Sequence, residues 1–257
     1  VRSTFPLALT FLTVLPWRGL GQVGPQDLAR SLFWFPWVGL ILGLGFWAGL
    51  GGLRIIFPPA AAAALLLALT VLATRGLHLD GLADTVDGLG GGKTPQERLA
   101  IMKDSRLGAF GGVSLFLALL LKFAFFLAWA EKGIGPGLIL FPILSRWGMV
   151  FLAYLSPYAR PEGGLGQAMT AGVSGNVLLG ATLSALALAL LTTGAPGMIL
   201  LVAAAAAVWL LSLYFQKKLG GVSGDVLGAA NEILEILVLG GLLLLPPGPT
   251  LSCLQFF

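Results

Sequence analysis

Three aspartates stand close together in an otherwise apolar chain, in the string His78-Leu-Asp80-Gly-Leu-Ala-Asp84-Thr-Val-Asp87-Gly88. A helix turns about 100° per residue, so Asp84 lies about 40° from Asp80 and Asp87 about 20° to the other side. The spacing predicts one acidic stripe where an apolar run reaches water. Three carboxylates on one stripe repel one another unless a cation sits among them. Hard carboxylate oxygens suit Mg²⁺, an ion that keeps several waters and is often completed by substrate phosphates.

A second acidic group lies in Gly221-Val-Ser-Gly-Asp225-Val-Leu-Gly228-Ala-Ala-Asn231-Glu232-Ile-Leu-Glu235. Asp225 and Glu232, seven apart, share a helix face. Glu232 and Glu235 stand one to two turns inside an apolar run, where ionised groups are costly and mark function. This cluster is expected to meet the first across a cavity, so Asp80, Asp84, Asp87, Asp225 and Glu232 are the candidate metal ligands. The basic candidates are Lys103 and Arg106 in Lys103-Asp104-Ser105-Arg106, Arg146 within an apolar run, and Lys217-Lys218. Guanidinium and ammonium groups beside a carboxylate–metal site are what a pyrophosphate substrate needs. Lys103, Asp104, Arg106, Arg146, Lys217 and His78 form the candidate substrate-binding set, and an acidic partner is the alternative for Lys122. His78 is the only histidine. On a continuous helix it projects about 160° away from Asp80, toward Arg75, which favours a supporting polar pair over general-base work. No Ser-His-Asp arrangement, Walker loop or GxGxxG fingerprint is present.

The elements that must hold these residues are membrane helices. The chain is 57% hydrophobic and 10% charged, with a mean hydropathy of +0.95, outside the range of soluble proteins. Seven apolar runs are long enough to cross a bilayer: 31–50, 59–79, 108–130, 137–155, 173–193, 197–215 and 226–245. Phe5–Leu15 is shorter and reads as interfacial or re-entrant, and no removable signal peptide is expected. The expected fold is all-α, a single integral-membrane domain over residues 1–257.

If residues 1–30 face the cytoplasm, the inner connections carry Arg2, Arg18, Arg30, Lys93, Arg98, Lys103, Arg106, Arg160, Lys217 and Lys218, and the outer ones only Arg54 and Lys132. The acidic motifs then fall on the cytoplasmic side. The net charge of +4 is what this topology demands and does not point to nucleic acid. Cys253, the only cysteine, can form no internal disulfide.

Gly88, Gly90, Gly91 and Gly92 are expected to stop the acidic helix flexibly. Thr94-Pro95-Gln96-Glu97 then reads as a capping box opening a short surface helix to about Ser105. Gly39/Gly43, Gly45/Gly49 and Gly108/Gly112 have GxxxG spacing and suit close helix packing.

The His78–Gly88 string, followed by Ile101-Met-Lys-Asp104-Ser-Arg106-Leu-Gly-Ala-Phe-Gly111, resembles the cobalamin synthase family, adenosylcobinamide-GDP ribazoletransferase. Phe11-Leu-Thr-Val-Leu-Pro16, Gly163-Gly-Leu-Gly-Gln-Ala-Met169 and Gly221-Val-Ser-Gly-Asp225-Val-Leu-Gly-Ala extend the resemblance along the whole chain. The resemblance implies a multi-pass enzyme of the cytoplasmic (inner) membrane that requires Mg²⁺. It would join adenosylcobinamide-GDP to α-ribazole or its 5′-phosphate and release GMP. On that reading Asp80, Asp84 and Asp87 hold the metal, and Lys103, Arg106 and Arg146 neutralise phosphate oxygens. Asp87 or Asp225 takes the proton of the attacking hydroxyl. The lipid bilayer is then a partner, and a homo-oligomer is compatible with it.

Two other readings remain from the residues. A CDP-alcohol phosphotransferase also uses aspartates at helix spacing, but its Asp-Gly-x-x-Ala-Arg pattern is not met, because Asp84 follows Ala83. A transporter would use Glu232 and Glu235 as an ion relay.

Overall fold

A computed structural model describes residues 4–245 apart from 18, 133–134, 161 and 164. Arg2, Arg18, Gly164 and Cys253 lie outside the described residues. Twelve α-helices occur among the described residues: α1 (Phe5–Leu12), α2 (Pro25–Ser31), α3 (Phe35–Ile56), α4 (Pro59–Ala73), α5 (Leu77–Gly91), α6 (Pro95–Ile101), α7 (Ala109–Lys132), α8 (Leu140–Leu155), α9 (Leu165–Ala171), α10 (Gly175–Thr193), α11 (Ala195–Leu219) and α12 (Gly224–Leu244). Among these residues there is no strand, only an isolated bridge between Tyr158 and Val222. Six helical stretches are long and apolar enough to cross a membrane: Pro25–Ile56, Ala109–Lys132, Pro136–Leu155, Gly175–Thr193, Ala195–Leu219 and Gly224–Leu244. The pair α4–α5, bent by 85°, brings the number to seven if it is taken as one span. The fold is an all-α, multi-pass membrane bundle.

The bend corrects the expected continuous run 59–79. Thr70 and Thr74 donate their hydroxyls back to the carbonyls of Leu67 and Thr70, which loosens the last turns of α4. Arg75 (φ 55°) and Gly76 (φ 66°) then turn left-handed, and the Gly76 N–H closes α4 on the Val71 carbonyl. The chain restarts as α5, which carries the whole acidic string. Of the glycines after it only the last stops the helix, with Gly92 as its C-cap. α5 runs through Gly88, Gly90 and Gly91 because these glycines admit Met102 and Arg98 of the following segment and Phe110 of α7 at close range. The capping box forms as expected, with Glu97 N–H donating to Thr94 Oγ1 and Glu97 Oε2 accepting from Lys93 and Thr94. The helix it opens ends at Ile101, short of Ser105.

α8 is the central helix: 83% of its apolar window is buried, against 22–61% for the other spans. Gly39 and Gly43 of α3 touch the backbone of Pro142, Ile143 and Ile139, so this GxxxG pair brings α3 onto α8 and the turn before it. Gly45, in contrast, faces open space. α5 packs most extensively on α12, with α7 along its other side. Gly81 lies against the backbone of Asp225, and Gly228 against that of His78. Glycines from both acidic motifs therefore let their two helices touch.

The four connections expected on the inner side gather at one end. α2 packs on α9, Arg98 donates to the Lys218 carbonyl, Lys103 pairs with Glu162, and Gly166 lies against Gly224.

Candidate active site

The acidic string sits on one helix, but its three carboxylates have different surroundings. Asp80 is exposed and Asp84 half-buried, and both line a cavity of about 880 Å³. Its walls come from α1 (Thr10, Phe11), the α4–α5 hinge (Val71, Thr74 to Leu77), α5, the Ser105–Leu107 connection and α7 (Leu115, Leu119). Neither Asp80 nor Asp84 has a hydrogen-bond or ion-pair partner among the described residues. Asp87 points the other way. Its Oδ2 accepts the N–H of Gly108 and its Oδ1 that of Gly111, each at 2.8 Å, at the start of α7. A side chain at either glycine would collide with the carboxylate, so these two residues, and not the pair Gly108/Gly112, carry the contact.

Asp225 opens α12 beside this group. Its Oδ2 accepts from Arg160 Nη2 at 2.6 Å and from Ser223 Oγ at 3.3 Å, leaving Oδ1 without a partner. Asp84 feels the charges of Asp80, Asp225 and Asp87, with Arg160 as the compensating cation. Arg160 is held there by a short pairing of the two loops: Ala159 N–H donates to the Val222 carbonyl, and Val222 N–H to that of Pro157, each at 2.9 Å.

Glu232 and Arg146 lie elsewhere. Both are buried deeper in the bundle, where Lys122 of α7 pairs with Glu232 and Glu235 of α12, and Arg146 of α8 pairs with Glu235. Asn231 Nδ2 also donates to Glu235, at 3.1 Å. Two cations and two carboxylates balance, so the group closes on itself. This corrects the expectation that Glu232 joins the aspartates as a ligand and that Arg146 reaches the substrate at their side. Lys122 takes the acidic partner that was its alternative.

His78 is also corrected. Because the helix breaks at residues 74–76, the face shared with Arg75 does not exist. Arg75 donates instead to the Thr10 and Thr13 carbonyls, at 3.1 and 2.7 Å. His78 is fully buried beside Arg146, Glu235 and Lys122, and neither ring nitrogen has a hydrogen-bond partner.

The remaining basic candidates are at the surface. Arg106 is 87% exposed and pairs with its neighbour Asp104, whose carboxyl that guanidinium lowers to about 2. Lys103 pairs with Glu162, and Lys217 is exposed at the end of α11. Ser105, between Lys103 and Arg106, lines the cavity. Exposed pairs of this kind are weak and exchange readily for a phosphate.

The donor set decides how well a metal ion fits. Among the described residues no three His, Cys, Asp or Glu side chains converge on one point to cage an ion. What the site offers is two unpartnered carboxylates at a cavity wall, with more negative charge behind them. That suits Mg²⁺, which takes one or two carboxylates and completes its shell with water and substrate phosphate.

The family described as cobalamin-5-phosphate synthase matches residues 4–243. The chain belongs to this family. An adenosylcobinamide-GDP ribazoletransferase of Syntrophobacter fumaroxidans is 45% identical over 239 residues, covering 92% of this chain and 96% of that protein. Proteins of the same name are 41% identical in Desulfitobacterium hafniense, over 91% of this chain and 94% of theirs, and 43% identical in Pseudomonas entomophila, over 94% and 98%. No solved structure matches.

As a cobalamin-5-phosphate synthase family member the chain is a transferase, which sets aside the transporter reading, and the family itself sets aside the CDP-alcohol one. Two residues that sequence reasoning did not place at the site belong to it. Arg160 had a weak signal, as a cation just before the Gly163–Met169 motif. Arg75 lines the cavity, and only the Arg-Gly pair at the end of an apolar run hinted at a turn there.

Proposed function

We propose that this chain transfers the adenosylcobinamide-phosphate part of adenosylcobinamide-GDP to α-ribazole or α-ribazole 5′-phosphate, with Mg²⁺, releasing GMP. The observation that carries this reading is the pair Asp80 and Asp84, unpartnered at the wall of a large cavity, in a chain of this family. Asp80 and Asp84 are the residues that would hold Mg²⁺, and the bound ion would neutralise the pyrophosphate and stabilise the departing GMP. Arg75 in the cavity wall, with Lys103 and Arg106 on either side of the cavity-lining Ser105 in the sequence, supplies the cations that orient phosphate oxygens.

An acceptor hydroxyl attacks the cobinamide phosphorus, the bond to the GMP oxygen breaks, and the hydroxyl proton passes to a carboxylate. Of the two expected acceptors, Asp87 has both oxygens engaged by N–H groups, whereas Asp225 keeps Oδ1 free and is oriented by Arg160. Asp225 is the better base on this geometry. The basic end of the bundle faces the cytoplasm of the inner membrane by the charge rule, which gives the cavity access to nucleotide substrates.

The test is GMP release by the full chain in detergent from adenosylcobinamide-GDP and α-ribazole. Turnover is expected with Mg²⁺ and not with excess EDTA. Equal turnover under both conditions would remove the metal from the account, and no turnover under either would remove the reaction.

A further inference from the structure

Where α4, α7, α8 and α12 meet, the bundle encloses a second space, a void of about 10 Å³. Val71, Thr74 and Leu79 line both it and the large cavity, and so form the partition between them. Its polar walls are Thr70, Thr74 and the four members of the buried ion group, Lys122, Arg146, Glu232 and Glu235. The bonding of that group is incomplete. Lys122 spends two of its three N–H donors, on Glu232 Oε2 and Glu235 Oε2. Glu232 Oε1 and Arg146 Nη2 have no hydrogen-bond partner among the described residues. Neither atom is sealed, in contrast with the ring nitrogens of His78, and each belongs to a residue that lines the void. The Thr70 and Thr74 hydroxyls donate backward along α4 and keep their own lone pairs for another donor.

We infer that this void is a binding site for one ordered water molecule. Size sets the first limit, since a single water needs roughly 10–15 Å³ of such space. Charge sets the second. Two cations and two carboxylates already balance, so an ion of either sign would be buried there without compensation. An apolar occupant would leave the Lys122 and Arg146 donors and the Glu232 oxygen unpaired. Water carries two donors and two acceptors. It accepts from Lys122 Nζ and Arg146 Nη2 and donates to Glu232 Oε1 and to a threonine oxygen, which completes the set of partners a buried water makes. Thr70 and Thr74 stand at the end of α4, just where the span breaks. The water therefore ties the broken end of α4 to the ion group of α7, α8 and α12, a support that ordered water gives to interrupted membrane helices. The site is independent of the reaction proposed above.

An electron-microscopy map of the full chain in lipid nanodiscs, at a resolution that shows ordered water, tests this directly. The expected result is one peak within hydrogen-bond reach of both Lys122 Nζ and Glu232 Oε1. An empty void overturns the assignment, and so does a peak held by carboxylate oxygens alone, as a cation would be. Thermal unfolding in detergent gives a second test through Thr70, which lines the void and not the large cavity. Thr70→Val and Thr70→Ile lose the same hydroxyl, but only isoleucine grows into the space. If a water is expelled, Thr70→Ile leaves the Lys122 donor and the Glu232 oxygen unpaired and is expected to melt about 3–6 °C below Thr70→Val. The opposite order, Thr70→Ile melting at or above Thr70→Val, is what filling a dry void gives, and it overturns the assignment. If Thr70→Ile does not fold, the map of the unaltered chain carries the test.

Discussion

Asp87 accepts two backbone N–H groups at the start of α7, where the helix dipole also favours a negative charge. Asp87→Ala removes both bonds and is expected to cost about 2 kcal/mol, read as a lowered unfolding temperature in detergent. An unchanged melting curve would contradict the capping role. The Asp104–Arg106 pair gives a pH prediction of definite sign. With the carboxyl lowered to about 2 from an ordinary 3.8, its contribution is complete above the ordinary value and lost only as pH falls through about 2. Activity changes between pH 5 and 9 should therefore be identical in Asp104→Asn and the unaltered chain; a profile displaced in the variant would show that Asp104 titrates there. At this scale the spacing of Asp80, Asp84 and Asp87 was legible because a helix repeat is local. The division of their roles was not, since the partners of Asp87 lie 21 and 24 residues later in the chain.

The acidic helix is positioned by what it touches. Gly81 packs on the Asp225 backbone so closely that an added Cβ would sit 2.7 Å from the Asp225 carbonyl oxygen, whereas one at Gly228 would sit 3.3 Å from His78 Cα. Gly81→Ala should separate the two acidic helices, costing about 1–3 kcal/mol by overpacking and lowering turnover, with Gly228→Ala the milder change. Equal effects in thermal unfolding would show that this contact does not set the helix spacing. The α4–α5 break was hidden in the sequence because residues 59–79 stay apolar on average in spite of Arg75 and His78. The marks of it are small: two threonines that bond backward and an Arg-Gly pair turned left-handed. The first glycines of the Gly88–Gly92 stretch misled in the opposite direction, since the helix ends only at Gly91. Glycine lowers helix propensity, but packing against Met102, Arg98 and Phe110 outweighs that cost.

Over the whole molecule, charge is divided by depth. The aspartates sit toward the basic end, and a neutral group of Lys122, Arg146, Glu232 and Glu235 ties α7, α8 and α12 together inside. Glu235→Leu leaves two buried cations to share Glu232 and is expected to cost about 3–5 kcal/mol, seen as a large fall in thermal stability. An unaffected unfolding temperature would show that the group does not hold the bundle. Seven apolar runs sufficed to anticipate a membrane bundle, and the charge asymmetry matches the end at which the four connections meet. The central place of α8 was not legible, since its hydropathy of 1.8 lies within the 1.6–2.4 range of the other spans. Its burial comes from the helices packed around it, α3 through Gly39 and Gly43 and, on its other sides, α10, α11 and α12.

Asp80 and Asp84, at the cavity wall, are the pair proposed to handle the pyrophosphate. GMP release measured for Asp80→Asn and Asp84→Asn, alongside thermal unfolding, tests that role most directly. Both variants are expected to fold normally and to lose at least about a hundredfold in turnover, the scale on which removal of one transition-state contact acts. Normal turnover in either folded variant would contradict it.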